Sequence, residues 1–311
     1  MFDPKDPRAN LKSGVTTSQP ALTLSFADLE VSKFYEQPPQ LKEALFETWI
    51  ARGQNFVLGY THAKPQAKWS RKNQVDEYVV LAPEKETEMI VSWNGKEHRI
   101  PGESLVFIPA GDSSVTLPKG GRVIQMLTHL STDWTRLAYN RASYVDGHHY
   151  VTKLTPWPEP KGGFKIRHYL IDVPSEEGRF GKIWRCSTFM INYLDIKKGP
   201  RDVTKMSPHC HLDFEQCSMA LCGEFIHHVR WPWTPNMNHW KKDEQSHCAT
   251  PSICIIPPPA VHTTQAIGSG DNQLVDIFCP PRMDFSLKPG WVLNAEDYPM
   301  PESTILEATK E

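Results

Sequence analysis

Apolar residues along this chain gather in short β-branched runs that stop at Gly, Pro or a charged turn. In the first half these read EYVVLAP (77–83), TEMIVSW (87–93), SLVFIPA (104–110) and RVIQMLTH (122–129). In the second half they read KIWRCSTFMINYLDI (182–196), EQCSMALCGEF (215–225), SICIIPPPAVH (252–262) and QLVDIFCPP (273–281). Runs of this length, rich in Val, Ile and aromatics and bounded by turn residues, predict strands. The Asn-Gly in WNGKE (93–97) predicts a tight hairpin. One stretch differs: in PPQLKEALFETWIAR (38–52) Leu41, Leu45 and Trp49 recur at four-residue steps after a Pro pair, which predicts a short N-terminal helix.

Proline strengthens the β reading. The chain has 27 Pro against 18 Gly, and Pro is at home in loops and strand ends but not inside helices. Residues 1–25 are polar and broken by Pro, as expected of a loose arm. TKLTPWPEPKGGF (152–164) has the composition of a linker. The halves on either side look duplicated. With Pro257 laid on Pro109, Ser252 meets Ser104, Ile253 meets Leu105, Pro259 meets Gly111 and His262 meets Ser114. Matching the turn glycines Gly95 and Gly223 places Leu81 and Pro83 where the second half has His209 and His211, and leaves about 20 extra residues (229–248) in the second half. The expected organisation is an arm over 1–25, one β domain over 26–160 and a second with a tail over 161–311.

Charge and cysteine content narrow the function. A formal charge of −2, with no basic block, gives no support to a nucleic-acid partner and fits a small-molecule one. No apolar run approaches the ~20 residues of a membrane span, and MFDPKDPRAN lacks the pattern of a secretion signal. Seven scattered Cys with no CxxC suggest free thiols in a reducing cytoplasm. A homodimer is expected, because exposed sheet edges tend to pair.

The chemistry concentrates in HCHLDFEQ (209–216). His209 and His211 share one face of an extended strand. Alone, such a pair says little; His262, following a Pro-rich turn far along the chain, changes the picture. Three imidazoles with one oxygen ligand suit Fe, Mn, Ni, Zn or Cu and leave positions open for substrate or water. Glu215, spaced for the same strand face as the two histidines, and Gln216 both compete to be the oxygen donor.

The spacing His209-x-His211-x4-Gln216-x6-Gly223, with Pro257-x-Pro259-x-x-His262 later, resembles the motifs of the cupin family. The resemblance spans roughly 185–285 and, weakly, 55–130. It implies an all-β fold of two tandem cupin jelly-roll barrels, with one divalent transition metal ion held in the C-terminal barrel by His209, His211, His262 and Gln216, or Glu215 in its place. It departs at Pro259, which stands where the motif has Gly, and at Ala266, where Asn is usual. The first barrel lacks the imidazoles and reads as a metal-free packing or dimerisation module.

Asp276-x-Phe278-x-Pro280-Pro281-Arg282-x-Asp284-Phe285 resembles the tail of the cupins that linearise unsaturated uronates from pectin and alginate. That likeness implies Asp276 as a proton-transfer group and Arg282 as the clamp for a substrate carboxylate; a structural Asp–Arg pair is the plain alternative. Of His227 and His228, regular alternation points one inward. Trp231, Trp233 and Trp240 form either a wall over the barrel mouth or, as favoured here, a cover for a sheet edge or dimer contact. The reading is a metal-dependent enzyme of lyase or isomerase type acting on a small carboxylated, sugar-acid-like molecule. The alternatives are an iron-dependent dioxygenase and a non-catalytic small-molecule-binding bicupin.

Overall fold

Residues 24–302 are described by the computed structural model; most of the arm expected over 1–25 lies outside them. The first strand is β1 (Glu30–Lys33), followed by a 3-10 turn at Phe34–Glu36. The first half continues with β2 (Leu41–Lys42), β3 (Phe46–Arg52), β4 (Phe56–Ala63), β5 (Ala67–Gln74) and β6 (Tyr78–Ala82). After these come β7 (Met89–Trp93), β8 (Lys96–Ile100), β9 (Ser104–Ile108), β10 (Gly111–Leu117) and β11 (Gly121–Thr128). The second half has β12 (Arg167–Leu170), β13 (Lys182–Arg185), β14 (Met190–Tyr193), β15 (Lys197–Lys198) and β16 (Gln216–Cys222). It ends with β17 (Glu224–Arg230), β18 (Glu244–Ala249), β19 (Ser252–Ile256), β20 (Val261–Ala266) and β21 (Asp271–Phe278).

The strands form two jelly rolls. The first pairs the sheet β12-β9-β6-β11-β4-β3-β2 with β5-β10-β7-β8; the second pairs β1-β19-β16-β21-β14-β13 with β18-β17-β20. The barrels share strands: β1 hydrogen-bonds to β19 of the second barrel, and β12 to β9 of the first.

The helix expected over 38–52 is a strand. β3 makes a seven-residue ladder with β4, from Phe46 opposite Ala63 to Arg52 opposite Val57. Leu45, on the expected apolar stripe, is 41% exposed, while Thr48 and Ile50 are fully buried. The alternating set of Phe46, Thr48 and Ile50 finds a sheet to join, and that tertiary pairing overrides the four-residue periodicity. The hairpin at Asn94-Gly95 forms as expected, both residues having positive φ (49° and 75°) as a tight β-turn needs.

Alternation decides which barrel can hold a site. On β6, Tyr78, Val80 and Ala82 face the first barrel's interior, in an apolar cluster that includes Ile50, Val106, Val115, Leu127 and Trp134, with Thr48, Thr61 and Gln125 hydrogen-bonded to one another beside it. Val79 and Leu81 face the second barrel instead, in a core shared with Cys217, Met219, Ile253, Val275 and Ile277. The interior of the second barrel is different. Its inward positions on β16 and β21 include Gln216, Ser218 and Asp276, all nearly inaccessible. The apolar residues there fall into separate small clusters around these polar groups.

The pairings also correct the glycine match between the halves. Gly95 turns β7 into β8, whereas Gly223 turns β16 into β17. The two-residue turn at Gly95 corresponds instead to the long excursion between β17 and β18. Leu81 pairs with Leu105 as Met219 pairs with Ile253, so Leu81 is the counterpart of Met219, not of His209. The counterpart of His209 is Ser70, which lies opposite Ser114 as His209 lies opposite His262.

Candidate metal centre

His209 and His262 are antiparallel partners that exchange both backbone hydrogen bonds, at 3.0 and 2.8 Å, so their side chains project side by side. His211, two residues on, completes the group. The ring centroids lie 4.4 to 5.2 Å apart, and one ligating nitrogen from each ring lies within 4.8 Å of the others. His262 is 3% exposed and His211 8%.

The surroundings set the tautomers. The Ser207 carbonyl accepts from Nδ1 of His209 and the Ala260 carbonyl from Nδ1 of His262, each at 2.9 Å. Each ring therefore carries its proton on Nδ1 and presents Nε2 as the acceptor nitrogen, the form that binds a metal. Burial holds His211 well below the ordinary imidazole range, and the charge of the nearby Arg282 pushes in the same direction.

Gln216 opens β16, and its Oε1 lies 3.0 Å from Nε2 of His211 and 3.5 Å from Nε2 of His262. Its Nε2 donates to Ser218 Oγ (3.1 Å) and to Asp276 Oδ1 (3.4 Å). Two acceptors behind the amide nitrogen fix the amide so that its oxygen faces the imidazoles. Three imidazole nitrogens and an amide oxygen make a donor set suited to a divalent transition ion. Glu215 points the opposite way. Its carboxylate accepts from the Gln54 backbone N–H (2.6 Å) and contacts His148 Nδ1 (3.1 Å), so it takes no place among the rings. Burial alone would lower the pKa of His148, but its bonds to the Glu215 carboxylate and the Ser143 carbonyl outweigh this and raise it.

Asp276 is opposite Ser218 in the β16–β21 ladder and accepts a 2.6 Å hydrogen bond from its hydroxyl. It lines, with His209, Gln216 and His262, a cavity of about 590 Å³. Toward solvent the same cavity is lined by Arg179, Lys197, Lys198, Arg201, Asp195 and Asp202.

Arg282 does not join Asp276. Its guanidinium is bidentate to Asp284 (3.0 and 2.6 Å) and packs among Phe285, Phe278 and Phe214, with ring centroids 3.6, 4.8 and 4.9 Å away. Phe214 in turn stacks on His211 at 4.4 Å. Arg282 thus stands behind the histidines and is absent from the cavity lining. The sequence spacing aligned it with Asp276, but the Pro280-Pro281 turn carries the chain out of β21 before Arg282 is reached.

His227 is the inward member of its pair, 1% exposed and 2.9 Å from Thr264 Oγ1. Trp231 is buried beneath Lys241, while Trp233 and Trp240 stack on each other at 4.8 Å on the surface. None of the three lines the cavity. Sequence reasoning missed Ser218, for which the signal was present: Gln-x-Ser on one strand puts both on one face. It also missed His148, 67 residues from Glu215, for which no local signal exists.

Two jelly rolls in one chain, one of them with an imidazole cluster in its interior, define the bicupin fold. No protein-family model matches the chain, and no curated protein does. Among solved structures it is similar to AerE from Microcystis aeruginosa (TM-score 0.53, 10% identity, 83% of this chain and 99% of that one). It is also similar to the Lactobacillus farciminis oxalate decarboxylase formate complex (0.54, 14%, 83% and 88%) and to a single-residue variant of B. subtilis oxalate decarboxylase (0.55, 12%, 92% and 84%). At such identities the likeness shows the fold alone. No helix among the described residues is long and apolar enough to cross a membrane.

Proposed function

We propose that the chain is a metal-dependent bicupin enzyme whose second barrel carries out lyase or isomerase chemistry on a small carboxylated, sugar-acid-like molecule. The observation that carries this is the convergence of His209, His211, His262 and the Gln216 amide oxygen, with His209, His262 and Gln216 lining a cavity that Asp276 also lines. The donor set suits Fe, Mn, Ni, Zn or Cu; the solved B. subtilis oxalate decarboxylase is described as having Mn(II) centres, which supports keeping Mn among these. A bound ion supplies a Lewis acid that polarises a substrate oxygen.

The protein's own groups do the rest. Asp276 accepts and returns a proton, held in place by the Ser218 hydroxyl and the Gln216 amide. Because Arg282 is committed to Asp284, holding a substrate carboxylate falls to basic residues of the cavity, Lys197 and Lys198. The cavity is large enough for a molecule of sugar-acid size.

Elemental analysis of protein purified without chelator is expected to return one transition ion per chain, lost in His262→Ala. Unsaturated uronates and keto acids are the first substrates to screen. On the substrate so found, Asp276→Ala is expected to retain metal and lose turnover by about 100-fold or more. Full turnover in that variant removes Asp276 from the scheme, and oxygen consumption during turnover replaces the lyase reading with the dioxygenase one.

A further inference from the structure

Three of the four donor residues, His209, His211 and Gln216, sit on one segment, and between the single bridge at His209 and the start of β16 that segment has no strand partner. Phe214 packs it against Phe278 and Arg282 of its own barrel, and further attachments run to the first half of the chain. The Thr152 N–H donates to the Asp213 carbonyl at 2.7 Å. The Glu215 carboxylate, 3% exposed, accepts from Gln54 N–H at 2.6 Å and bonds to His148 Nδ1 at 3.1 Å. Around it the first-half loops are tied to each other: the His148 N–H donates to Gln54 Oε1 (2.9 Å) and the His148 ring stacks on Tyr144 (4.5 Å). Gly53 fits closely against the same carboxylate; a Cβ there would come within 2.6 Å of Glu215 Oε2 and 2.3 Å of the Phe56 ring.

We propose that Glu215 is a positioning residue through which loops of the first barrel hold the ligand segment of the second, fixing where Gln216 and His211 present their donor atoms. The inference rests on the metal-centre reading above. The physical reason is adjacency. Glu215 and Gln216 are neighbours on an extended backbone, so anchoring one side chain outward fixes the direction of the next one inward. Groups that orient ligands without touching the metal commonly change its affinity by about 10–100-fold.

The experiment compares wild-type protein with Glu215→Ala, Glu215→Gln, His148→Asn and Glu77→Gln. Glu77 is the control: a buried carboxylate between the barrels, bonded to Ser187 and Tyr298 and not to the ligand segment. Metal affinity is measured by chelator competition, the Co(II)-loaded absorption spectrum reports ligand geometry, and thermal melts of metal-free protein report folding. Glu215→Ala is expected to weaken metal binding about 10–100-fold and alter the Co(II) spectrum. Glu215→Gln, which keeps an oxygen for Gln54, should lose less, and Glu77→Gln should lower the melting temperature without changing either metal readout. His148→Asn supplies the test if Glu215→Ala does not fold, with a loss of affinity expected. Wild-type affinity and spectrum in folded Glu215→Ala or His148→Asn overturn the proposal, as does an equal affinity loss in Glu77→Gln. If wild-type protein binds no transition metal, the metal-centre reading itself fails, and the positioning role with it.

Discussion

Glu215 and Gln216 are neighbours of almost the same shape, yet one faces the first half of the chain and the other the imidazoles. The difference comes from backbone alternation together with the partners each side chain finds: Gln54 and His148 on one side, Ser218 and Asp276 on the other. Sequence spacing left the choice open because both positions lie within reach of an extended chain. His227 shows how burial sets a property at the same scale. Its pKa is lowered to about 3, first by burial and then by the nearby His262 and His228 rings. The folded state holds this ring neutral while the unfolded chain protonates it, so stability is intact above the unfolded pKa of about 6.5 and is lost as pH falls toward 3. His227 alone should contribute a loss of roughly 2 kcal/mol by pH 5. Denaturant titrations of metal-free protein from pH 7.5 to 5 should show a decline that is shallower in His227→Gln, and an equal slope in the variant removes His227 as a cause.

At the scale of elements, β6 and β16 occupy the same place in their barrels and differ in what they turn inward. β6 presents Tyr78, Val80 and Ala82, and β16 presents Gln216 and Ser218, while their outer faces meet in one shared apolar core. Leu81, misplaced by the glycine match, belongs to that shared core and is fully buried. Leu81→Ala is expected to cost about 2–4 kcal/mol by equilibrium denaturation while metal affinity stays at the wild-type value. A matching drop in affinity would mean that the barrels' packing core, and not the Glu215 contact, transmits to the site. The stretch 38–52 failed as a helix for a reason at this scale too: Phe46, Thr48 and Ile50 carry a two-residue alternation as clear as the four-residue one, and only the presence of β4 decided between them.

The whole molecule is interlocked. β1 completes a sheet of the second barrel and β12 a sheet of the first, and the inter-barrel core includes Trp184, Cys186 and Phe189 against Leu105 and Phe107. A fragment spanning residues 161–311 lacks β1 and leaves the β19 edge and the outer face of β16 without cover. Expressed alone it is expected to aggregate or to unfold without a cooperative transition, as read by light scattering and thermal melts. A soluble fragment with a sharp transition and wild-type metal affinity would show that the second barrel stands by itself.

Local sequence determined the all-β character, most strand positions, the Asn94-Gly95 turn and the three imidazoles, because alternation, turn chemistry and residue type act over a few neighbours. Tertiary structure decided that residues 46–52 pair as a strand, that Ser70 and not Leu81 is the counterpart of His209, and that Arg282 binds Asp284 behind the site. It also brought Gln54 and His148 onto Glu215. Each of these depends on a partner distant in the chain or on the exit angle of a turn, and hydrogen-bond pairing and burial select those only when the sheets come together.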